Sequence, residues 1–380
     1  MLNKFFISIL ILLISGIFLS ACKNNSIVNP TPGAAPDFVF TQSNQSGGNN
    51  VIQYNRGSDG NLTAAGTFST QGSGTGTDLG TQGSLALDAA LKYLYVVNAG
   101  SNDITSFSTG TGLTFINKIS SGGTMPASLT VNGSLLYVLN AGGAGNISGF
   151  RIGTDGSLTA IPNSTRNLSN GGTGNAQGPA EISFNSGGSM IVVTEKTSNK
   201  ILAYTVNSDG TVNGPNVNAA VGSTPFGFAF KNDNQIVVAE AYQDIPDSSA
   251  VVSYGIAGGI TALVSGPVFT TQTSACWVVI TTSGSYTYSS NTNSGTITGF
   301  SLNGAGQLAL LNTNGITASI GSGTKPADIA LTRDSNFMYV LNIGSHNISC
   351  LKVNGDGSLT QVNLNTVSGL SAGTAGIVAK

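Results

Sequence analysis

Short apolar segments alternate with turns rich in Gly, Asn and Asp along most of this chain, and the clearest example is Lys325–Val362. Gly and Asn accept positive φ, and Asp caps its own backbone, so the polar separators predict tight turns between strands. The segment therefore predicts four short strands joined by three turns. These strands are Ile329–Leu331, Phe337–Asn342, Ile348–Val353 and Leu359–Val362.

The same pattern recurs along the chain at a period of roughly 40–50 residues, which is typical of β-propeller blades. A large side chain marks the third strand of each repeat. These marks are Tyr54, Phe107, Phe150, Tyr204, Tyr254, Phe300 and Leu351. Each repeat also shows a second strand, but the first repeat lacks an innermost strand before Phe38. The missing strand is predicted at the other end of the chain, at Ile377–Ala379.

We therefore predict an all-β fold, a seven-bladed β-propeller of four-stranded antiparallel blades that spans residues 38–380. The C-terminal strand is expected to pair with the N-terminal blade, which holds Phe38–Phe68. This pairing would close the ring and remove an open sheet edge.

The amino terminus does not belong to this repeat. Lys4 precedes an apolar run that ends Leu19-Ser20-Ala21-Cys22, so residues 1–21 are predicted to be a signal peptide. The ending looks like the lipobox of bacterial lipoproteins, which implies a lipid on Cys22. Residues 22–37 then form the lipidated Cys and a flexible tether. An uncleaved membrane anchor is the alternative, although the run is short for a bilayer span.

The expected location is the cell envelope, with a lipid anchor on Cys22 and, in a bacterium with two membranes, the outer membrane. Only 8% of the residues are charged and the formal net charge is -2, without a basic run. Nucleic acid is therefore not an expected partner. Cys276 and Cys350 fall in different repeats and are read as small buried side chains. A monomer without cofactor or metal is expected.

The candidate site residues lie on the upper face of the propeller. We define this face as the one that carries the loops before the first strands and the loops between the second and third strands. Glu181 and Asp328 occupy the same repeat position, just before an innermost strand, and both are predicted to face the channel mouth. Glu195 and Glu240 end the second strands of adjacent blades and, with Glu181, are candidates for one acidic wall. His346, the only His, lies on an upper loop.

A cluster of carboxylates either raises a carboxyl pKa toward general-base duty or holds a cation. The alternative is that these carboxylates accept hydrogen bonds from loop amides or lie far apart in water. The other upper-face acids are Asp78, Asp103, Asp244 and Asp247, and the upper-face cations are Lys196, Lys200 and Lys325.

Three second strands read Tyr95-Val-Val-Asn98, Tyr137-Val-Leu-Asn140 and Tyr339-Val-Leu-Asn342, and Asp-Gly-Ser-Leu-Thr turns occupy 155–159 and 356–360. These motifs resemble the Tyr-Val-Thr-Asn propeller repeats. They also resemble the seven-bladed lactonase family, which includes 6-phosphogluconolactonase. The resemblance covers residues 38–380 and implies the propeller fold.

The family's usual Pro-Arg-His before innermost strands is replaced here, for example by Pro179-Ala-Glu181 and Pro326-Ala-Asp328. The leading hypothesis is therefore a lipid-anchored module that binds a small molecule, a glycan or an envelope protein at the upper face. The alternative is a lactonase-family hydrolase with an altered, acidic site at the channel mouth. Whether the protein is an enzyme stays open at this point.

Overall fold

The computed structural model describes residues 37–380, which form seven antiparallel sheets arranged as the blades of one propeller. The fold prediction is confirmed. The predicted signal peptide, Cys22 and nearly all of the predicted tether lie outside the described residues. Within residues 37–380, no helix is both long and apolar enough to cross a membrane.

The strands are numbered in chain order. Blade 1 contains β1 (Phe38–Gln42), β2 (Asn50–Arg56), β3 (Leu62–Ser69) and β30 (Ala375–Ala379). Blade 2 contains β4 (Leu85–Leu87), β5 (Tyr93–Asn98), β6 (Asp103–Ser108) and β7 (Thr114–Ser120). Blade 3 contains β8 (Pro126–Asn132), β9 (Leu135–Asn140), β10 (Asn146–Ile152), β11 (Leu158–Ala160) and β12 (Arg166–Asn167). Blade 4 contains β13 (Pro179–Phe184), β14 (Met190–Glu195), β15 (Lys200–Val206) and β16 (Val212–Ala219).

Blade 5 contains β17 (Pro225–Asn232), β18 (Gln235–Glu240), β19 (Ala250–Ala257) and β20 (Ile260–Phe269). Blade 6 contains β21 (Ala275–Ile280), β22 (Tyr286–Asn291), β23 (Thr296–Leu302), β24 (Leu308–Leu310) and β25 (Ala318–Ser319). Blade 7 contains β26 (Pro326–Leu331), β27 (Phe337–Asn342), β28 (Asn347–Val353) and β29 (Leu359–Ser368). In blades 3 and 6 the outermost strand is interrupted, and both of its pieces pair with the third strand.

The ring closes as predicted, because β30 is the innermost strand of blade 1 and pairs antiparallel with β1. In this pairing Val39 lies opposite Ala379, and Phe40 lies opposite Val378. The hydroxyl of Thr41 donates a hydrogen bond to the carbonyl of Gly376 at 2.6 Å. Blade 1 therefore has no unpaired inner edge, which is the physical benefit of joining the two ends of the chain.

The repeated Tyr and Asp-Gly motifs join neighbouring blades. The hydroxyl of Tyr137 in blade 3 donates to the carbonyl of Gly210 in blade 4 at 2.8 Å. Tyr339 in blade 7 makes the equivalent bond to Gly60 in blade 1 at 2.7 Å. Because these tyrosines are buried, a hydroxyl without a partner would be costly. Tyr288 in blade 6 makes the same bond to Gly357 in blade 7 at 2.8 Å, whereas the hydroxyl of Tyr95 has no hydrogen-bond partner among the described residues.

The core lies between adjacent sheets, where side chains from the second and third strands interleave. All seven large side chains that marked the third strands are buried, with Tyr54 the most exposed at 6%. The two cysteines, Cys276 and Cys350, are buried free thiols, as the sequence predicted. Burial raises the pKa of the Cys276 thiol to about 12, so this group stays protonated and unreactive at neutral pH.

Candidate functional site

The innermost strands begin with a shift of register that turns one side chain toward the central channel. In blade 4 the shift lies between Pro179 and Glu181, and in blade 7 it lies between Pro326 and Ile329. Such β-bulges re-aim a side chain at the end of a strand. The same local irregularity therefore places Glu181 and Asp328 on the channel, as their common repeat position predicted.

The segment Leu79–Gly83, which we call the plug, crosses the channel and bonds to the blades around it. The backbone N–H of Gln82 donates to Ala180 in blade 4 at 3.0 Å. The side-chain amide of Gln82 donates to the carbonyl of Val278 in blade 6 at 2.9 Å and accepts from its N–H at 3.1 Å. The carbonyl of Gly83 accepts from Leu129 in blade 3 at 2.8 Å. The plug is thus tied to several blades at once.

Small residues on the innermost strands make room for the plug. A Cβ atom built on Gly227 would lie 2.2 Å from the side-chain oxygen of Gln82 and 2.8 Å from the carbonyl oxygen of Cys276. Gly227 therefore occupies the repeat position of Glu181 and Asp328 for a steric reason. No pattern in the sequence predicted the segment that fills this space.

Beneath the plug lies a cavity of about 440 Å³, which we call the lower cavity. Gln82 and Gly83 line its closed end together with Glu181 and Asp328, and the lower-face residues Asp88 and Arg333 also line it. Its remaining walls are mainly aliphatic. They include Leu85, Leu87, Leu91, Ile329, Leu331, Ile377 and Val378.

Glu181 and Asp328 are the predicted site residues that the structure brings together, but the plug separates them from the upper face. Glu181 is 7% exposed and accepts a hydrogen bond from the N–H of Phe228 at 2.6 Å. Asp328 is 4% exposed and accepts from the N–H groups of Gly83, at 3.3 Å, and Ile329, at 2.9 Å. The predicted position at the upper channel mouth is therefore wrong, because the plug covers both carboxyls.

Burial changes the protonation of both carboxyls. It raises the pKa of Asp328 to about 7, against hydrogen bonds from backbone amides that lower it. Burial also raises the pKa of Glu181 well above its ordinary value, and the nearby Asp328 adds to that shift. Ionised forms are disfavoured here because both carboxyls are largely withdrawn from solvent and no cation is paired with either group among the described residues.

Glu195 and Glu240 do not join Glu181 in one acidic wall. Glu195 accepts hydrogen bonds from the hydroxyls of Ser169 and Ser198, the latter at 2.7 Å. Glu240 accepts from the hydroxyl of Tyr254 at 2.7 Å, and burial raises the pKa of Glu240 to about 7.

Neither Glu195 nor Glu240 lines the lower cavity or the upper pocket described next. Second strands lie one strand away from the channel, so their buried side chains pack between sheets instead. The predicted acidic wall is therefore not formed.

His346 also lies away from the channel cavities. It sits in the turn between β27 and β28 with φ 53°, and its carbonyl accepts the N–H of Leu370 at 3.0 Å. It lines neither the lower cavity nor the upper pocket. His346 therefore stays a candidate from the sequence alone, outside both channel cavities.

Above the plug lies a second cavity of about 210 Å³, which we call the upper pocket. Gly80 of the plug lines it, and the Nζ of Lys196 donates to the carbonyl of Gly80 at 2.7 Å. The same Nζ lies 4.4 Å from the ring centre of Phe226, and the rings of Phe226 and Trp277 are 4.9 Å apart. Lys196 is thereby held against the plug by a hydrogen bond and a cation–π contact.

Acidic and neutral polar groups complete the upper pocket. Asp244 accepts a hydrogen bond from the hydroxyl of Ser274 at 2.6 Å, and Asn293 donates to the same hydroxyl at 2.6 Å. Asp78 also lines the pocket. Burial lowers the pKa of Lys196, while the charges of Asp78 and Asp244 oppose that shift. Two of the three Lys196 protons remain available to a ligand beyond the bond to Gly80.

Lys196, Asp78 and Asp244 were predicted to lie on the upper face as separate charges, not as a group. They come from three different blades or loops, and only the folded ring brings them together. Residues 37–380 contain no group of three or more His, Cys, Asp or Glu side chains arranged to hold a metal ion. With one lysine, two carboxylates and an amide in its lining, the upper pocket offers groups for hydrogen bonding and ion pairing to an organic ligand.

Comparison with protein-family models gives a match to the family described as "Lactonase, 7-bladed beta-propeller" over residues 37–167 and 277–371, which is more than half of the chain. The unmatched segment between these ranges supplies Glu181, Glu195, Lys196, Glu240 and Asp244. Comparison with curated protein sequences found no match.

Several solved structures share the fold at low identity. A protein from Lactobacillus plantarum is 18% identical, with a TM-score of 0.70, over 91% of this chain and 100% of that one. A provisionally named 6-phosphogluconolactonase from Bacteroides fragilis is 16% identical, with a TM-score of 0.68, over 91% and 99%. A periplasmic gluconolactonase from Pseudomonas aeruginosa is 16% identical, with a TM-score of 0.64, over 88% and 98%. At this identity the likeness establishes the fold alone.

Proposed function

Because the chain belongs to the seven-bladed β-propeller lactonase family, we propose that it is a lipid-anchored envelope protein that binds a small sugar acid or lactone in the upper pocket. The observation that carries this proposal is Lys196, a half-buried cation held over a pocket that the plug closes from below. A cation in a partly dry site attracts a carboxylate or a polarised carbonyl more strongly than it would in water.

The other pocket groups complement a polyhydroxylated ligand. Asp78 and Asp244 accept hydrogen bonds from hydroxyl groups, and Asn293 is able both to donate and to accept. The rings of Phe226 and Trp277 offer an apolar surface against which the C–H groups of such a ligand can pack. A small polar pocket with a few convergent groups is the usual form of a small-molecule site.

The test is calorimetric titration of the purified protein with D-gluconate. Lys196→Met should lower the affinity at least tenfold, because it removes the cation and keeps the length of the side chain. Lys231→Met is the matched control, since Lys231 also donates to a carbonyl, that of Gly304, but on the opposite face. Equal gluconate binding by the parent and Lys196→Met would contradict the proposal.

A second candidate function, hydrolysis of an unphosphorylated lactone, is favoured by the carboxylate of Asp244 in the same pocket as Lys196. In this reaction Asp244 takes a proton from water while the hydroxide attacks the carbonyl carbon, and Lys196 stabilises the oxyanion. The ring C–O bond then breaks, and the proton passes to the leaving oxygen. A phosphorylated lactone is less favoured, because Lys196 is the one cationic side chain among the described residues that line the pocket.

Hydrolysis is tested by following the loss of D-glucono-δ-lactone above its spontaneous rate. Asp244→Asn should reduce turnover by about two orders of magnitude, the usual contribution of a general base. Asp247→Asn, which changes a nearby loop carboxylate outside the pocket, should have no effect. A parent rate equal to the spontaneous rate would eliminate this function and leave gluconate binding to decide the first proposal.

The proposed anchor is supported by the sequence Leu19-Ser20-Ala21-Cys22. Multiple acyl chains on Cys22 would hold the protein stably at a membrane, whereas a single chain would hold it weakly. Growth of expressing bacteria with an alkyne-tagged fatty acid should label the parent and leave Cys22→Ser unlabelled. Equal labelling of the two proteins would contradict lipidation at this residue.

A further inference from the structure

The lower cavity takes no part in the proposed function, yet it has the form of a binding site. Its volume of about 440 Å³ lies within the range of roughly 300–1,000 Å³ that is usual for small-molecule sites. Its walls are aliphatic over most of their length, and its closed end carries two carboxyl groups. A ligand of matching shape would therefore have an apolar chain and one polar end.

The charges around the cavity indicate the sign of that polar end. Among its lining residues, the carboxyls of Glu181 and Asp328 lie at the closed end, and Asp88 and Arg333 lie near the lower-face opening. Asp78, above the plug, adds a further negative charge that is felt by Asp328. The closed end thus has acids without a cationic partner among residues 37–380.

One oxygen of Glu181 is available to a ligand. Its Oε2 accepts the N–H of Phe228, whereas its Oε1 receives no hydrogen bond from residues 37–380, although the residue is only 7% exposed. An accessible carboxyl oxygen that lines a cavity can accept a hydrogen bond from a donor group that enters it. Glu181 therefore offers one acceptor oxygen at the point where the lower cavity ends.

We propose that the lower cavity binds a primary alkylammonium ion, with its NH₃⁺ group between Glu181 and Asp328 and its alkyl chain against Leu87, Leu331 and Ile377. An ammonium group supplies three hydrogen-bond donors and the positive charge that the closed end lacks. The alkyl chain removes apolar wall from water. This site is separate from the upper pocket and does not depend on what the upper pocket binds.

Binding is coupled to proton release. Burial raises the pKa of Asp328 to about 7 and also raises that of Glu181, so Asp328 is largely protonated below pH 7 before an ammonium binds, and an arriving ammonium favours the ionised carboxylates. The affinity for an alkylammonium ion should therefore rise about tenfold between pH 6 and pH 8, as the pKa of Asp328 near 7 requires. A neutral ligand of the same shape should show no such rise.

The experiment is calorimetric titration of the purified protein with n-hexylammonium chloride at pH 6 and pH 8, with n-hexanol as the matched neutral probe. We expect hexylammonium to bind at least tenfold more tightly than hexanol at pH 8, and to release protons at pH 6.5 in buffers of different ionisation enthalpy. Shortening the chain should weaken binding roughly three- to fourfold per CH₂.

Variants separate the cavity from general charge effects. Glu181→Gln and Asp328→Asn should each weaken hexylammonium binding at least tenfold and leave hexanol binding unchanged. Glu240→Gln is the matched control, because Glu240 is another carboxyl with a pKa near 7 but lies outside the cavity. If one of the cavity variants does not fold, the other decides the question.

Three results would overturn the proposal. They are the absence of hexylammonium binding at pH 8, equal affinities for hexylammonium and hexanol, and hexylammonium binding that Glu181→Gln leaves unchanged.

Discussion

The upper pocket and the lower cavity share one channel, but their acidic side chains differ in solvent exposure and in neighbouring charge. In the upper pocket, Asp78 and Asp244 are exposed and lie near the cation Lys196. In the lower cavity, Glu181 and Asp328 are buried and lack a cation, so their pKa values rise. The two cavities thus give acidic side chains different solvent access and different neighbouring charge, which are the factors that set a carboxyl pKa.

The plug creates this difference. Gly80 lines the upper pocket, while Gln82 and Gly83 line the lower cavity, so one short segment has a different environment on each side. The hydrogen bonds from Gln82 to Val278 and Ala180 hold the segment across the channel. A propeller without this segment would have one continuous channel in place of two cavities.

The two cavities also differ in how many of their lining residues lie in the segments that match the family model. Most of the lower cavity comes from the segments that match the family model. The upper pocket takes Lys196, Phe226 and Asp244 from the unmatched segment between residues 167 and 277. The groups proposed to select a ligand are therefore largely this chain's own, on a framework that it shares with its family.

The largest expected effect comes from deleting residues 373–380, because these residues close the ring. They also form one wall of the lower cavity, whereas none of them lines the upper pocket. The deletion removes the pairing of β30 with β1 and the buried side chain of Ile377. We expect the free energy of unfolding to fall by about 5 kcal/mol or more, measured by urea denaturation.

A graded form of the same test is Ile377→Ala, which should cost about 2–4 kcal/mol as a buried large-to-small change. Unchanged melting of the deletion variant would show that closure by β30 does not stabilise the ring.

The next largest effect is a dependence of the free energy of unfolding on pH, which is caused by Asp328 in the lower cavity. The folded pKa of Asp328, about 7, lies above the ordinary value of 3.8, so its stabilising contribution is complete below about pH 4 and is lost as pH rises to 7. The protein should therefore be more stable at pH 5 than at pH 8, with about 2–3 kcal/mol of the difference due to Asp328.

Urea denaturation at both pH values checks this prediction. Asp328→Asn should reduce the pH dependence, whereas Asp244→Asn in the upper pocket should preserve it. Equal effects of the two substitutions would remove the contrast between the cavities.

A smaller effect is expected from Gln82→Ala, which weakens the barrier between the cavities. The N–H and carbonyl of Val278 would lose their partners, at a cost of about 2 kcal/mol. Water reaching Asp328 should also lower its pKa toward the ordinary value, so the pH dependence of stability should flatten.

Gln272→Ala is a useful control, because Gln272 is also buried and hydrogen-bonded but lines neither cavity. It should destabilise the protein without flattening the pH dependence. If Gln82→Ala destabilises the protein and keeps the full dependence, the plug does not control the solvation of Asp328.

Part of the candidate site was visible in the sequence. The shared position of Glu181 and Asp328 predicted that both face the channel, and the bulges at the start of β13 and β26 explain why they do. The grouping with Glu195 and Glu240 was wrong, because residues that end second strands point between sheets. Repeat position specifies which strand a residue occupies, but it does not specify which loop covers the strand.

The sequence alone determined the seven blades, their four-strand order and the closure of the ring by Ile377–Ala379. These features follow from local patterns, namely apolar alternation, turn residues and a repeat of nearly constant length, and each repeat contains its own signal. The path of Leu79–Gly83 through the channel was decided only by the tertiary structure. Its partners lie as far away in sequence as Val278, and the carboxyl pKa values depend on the water that this path excludes.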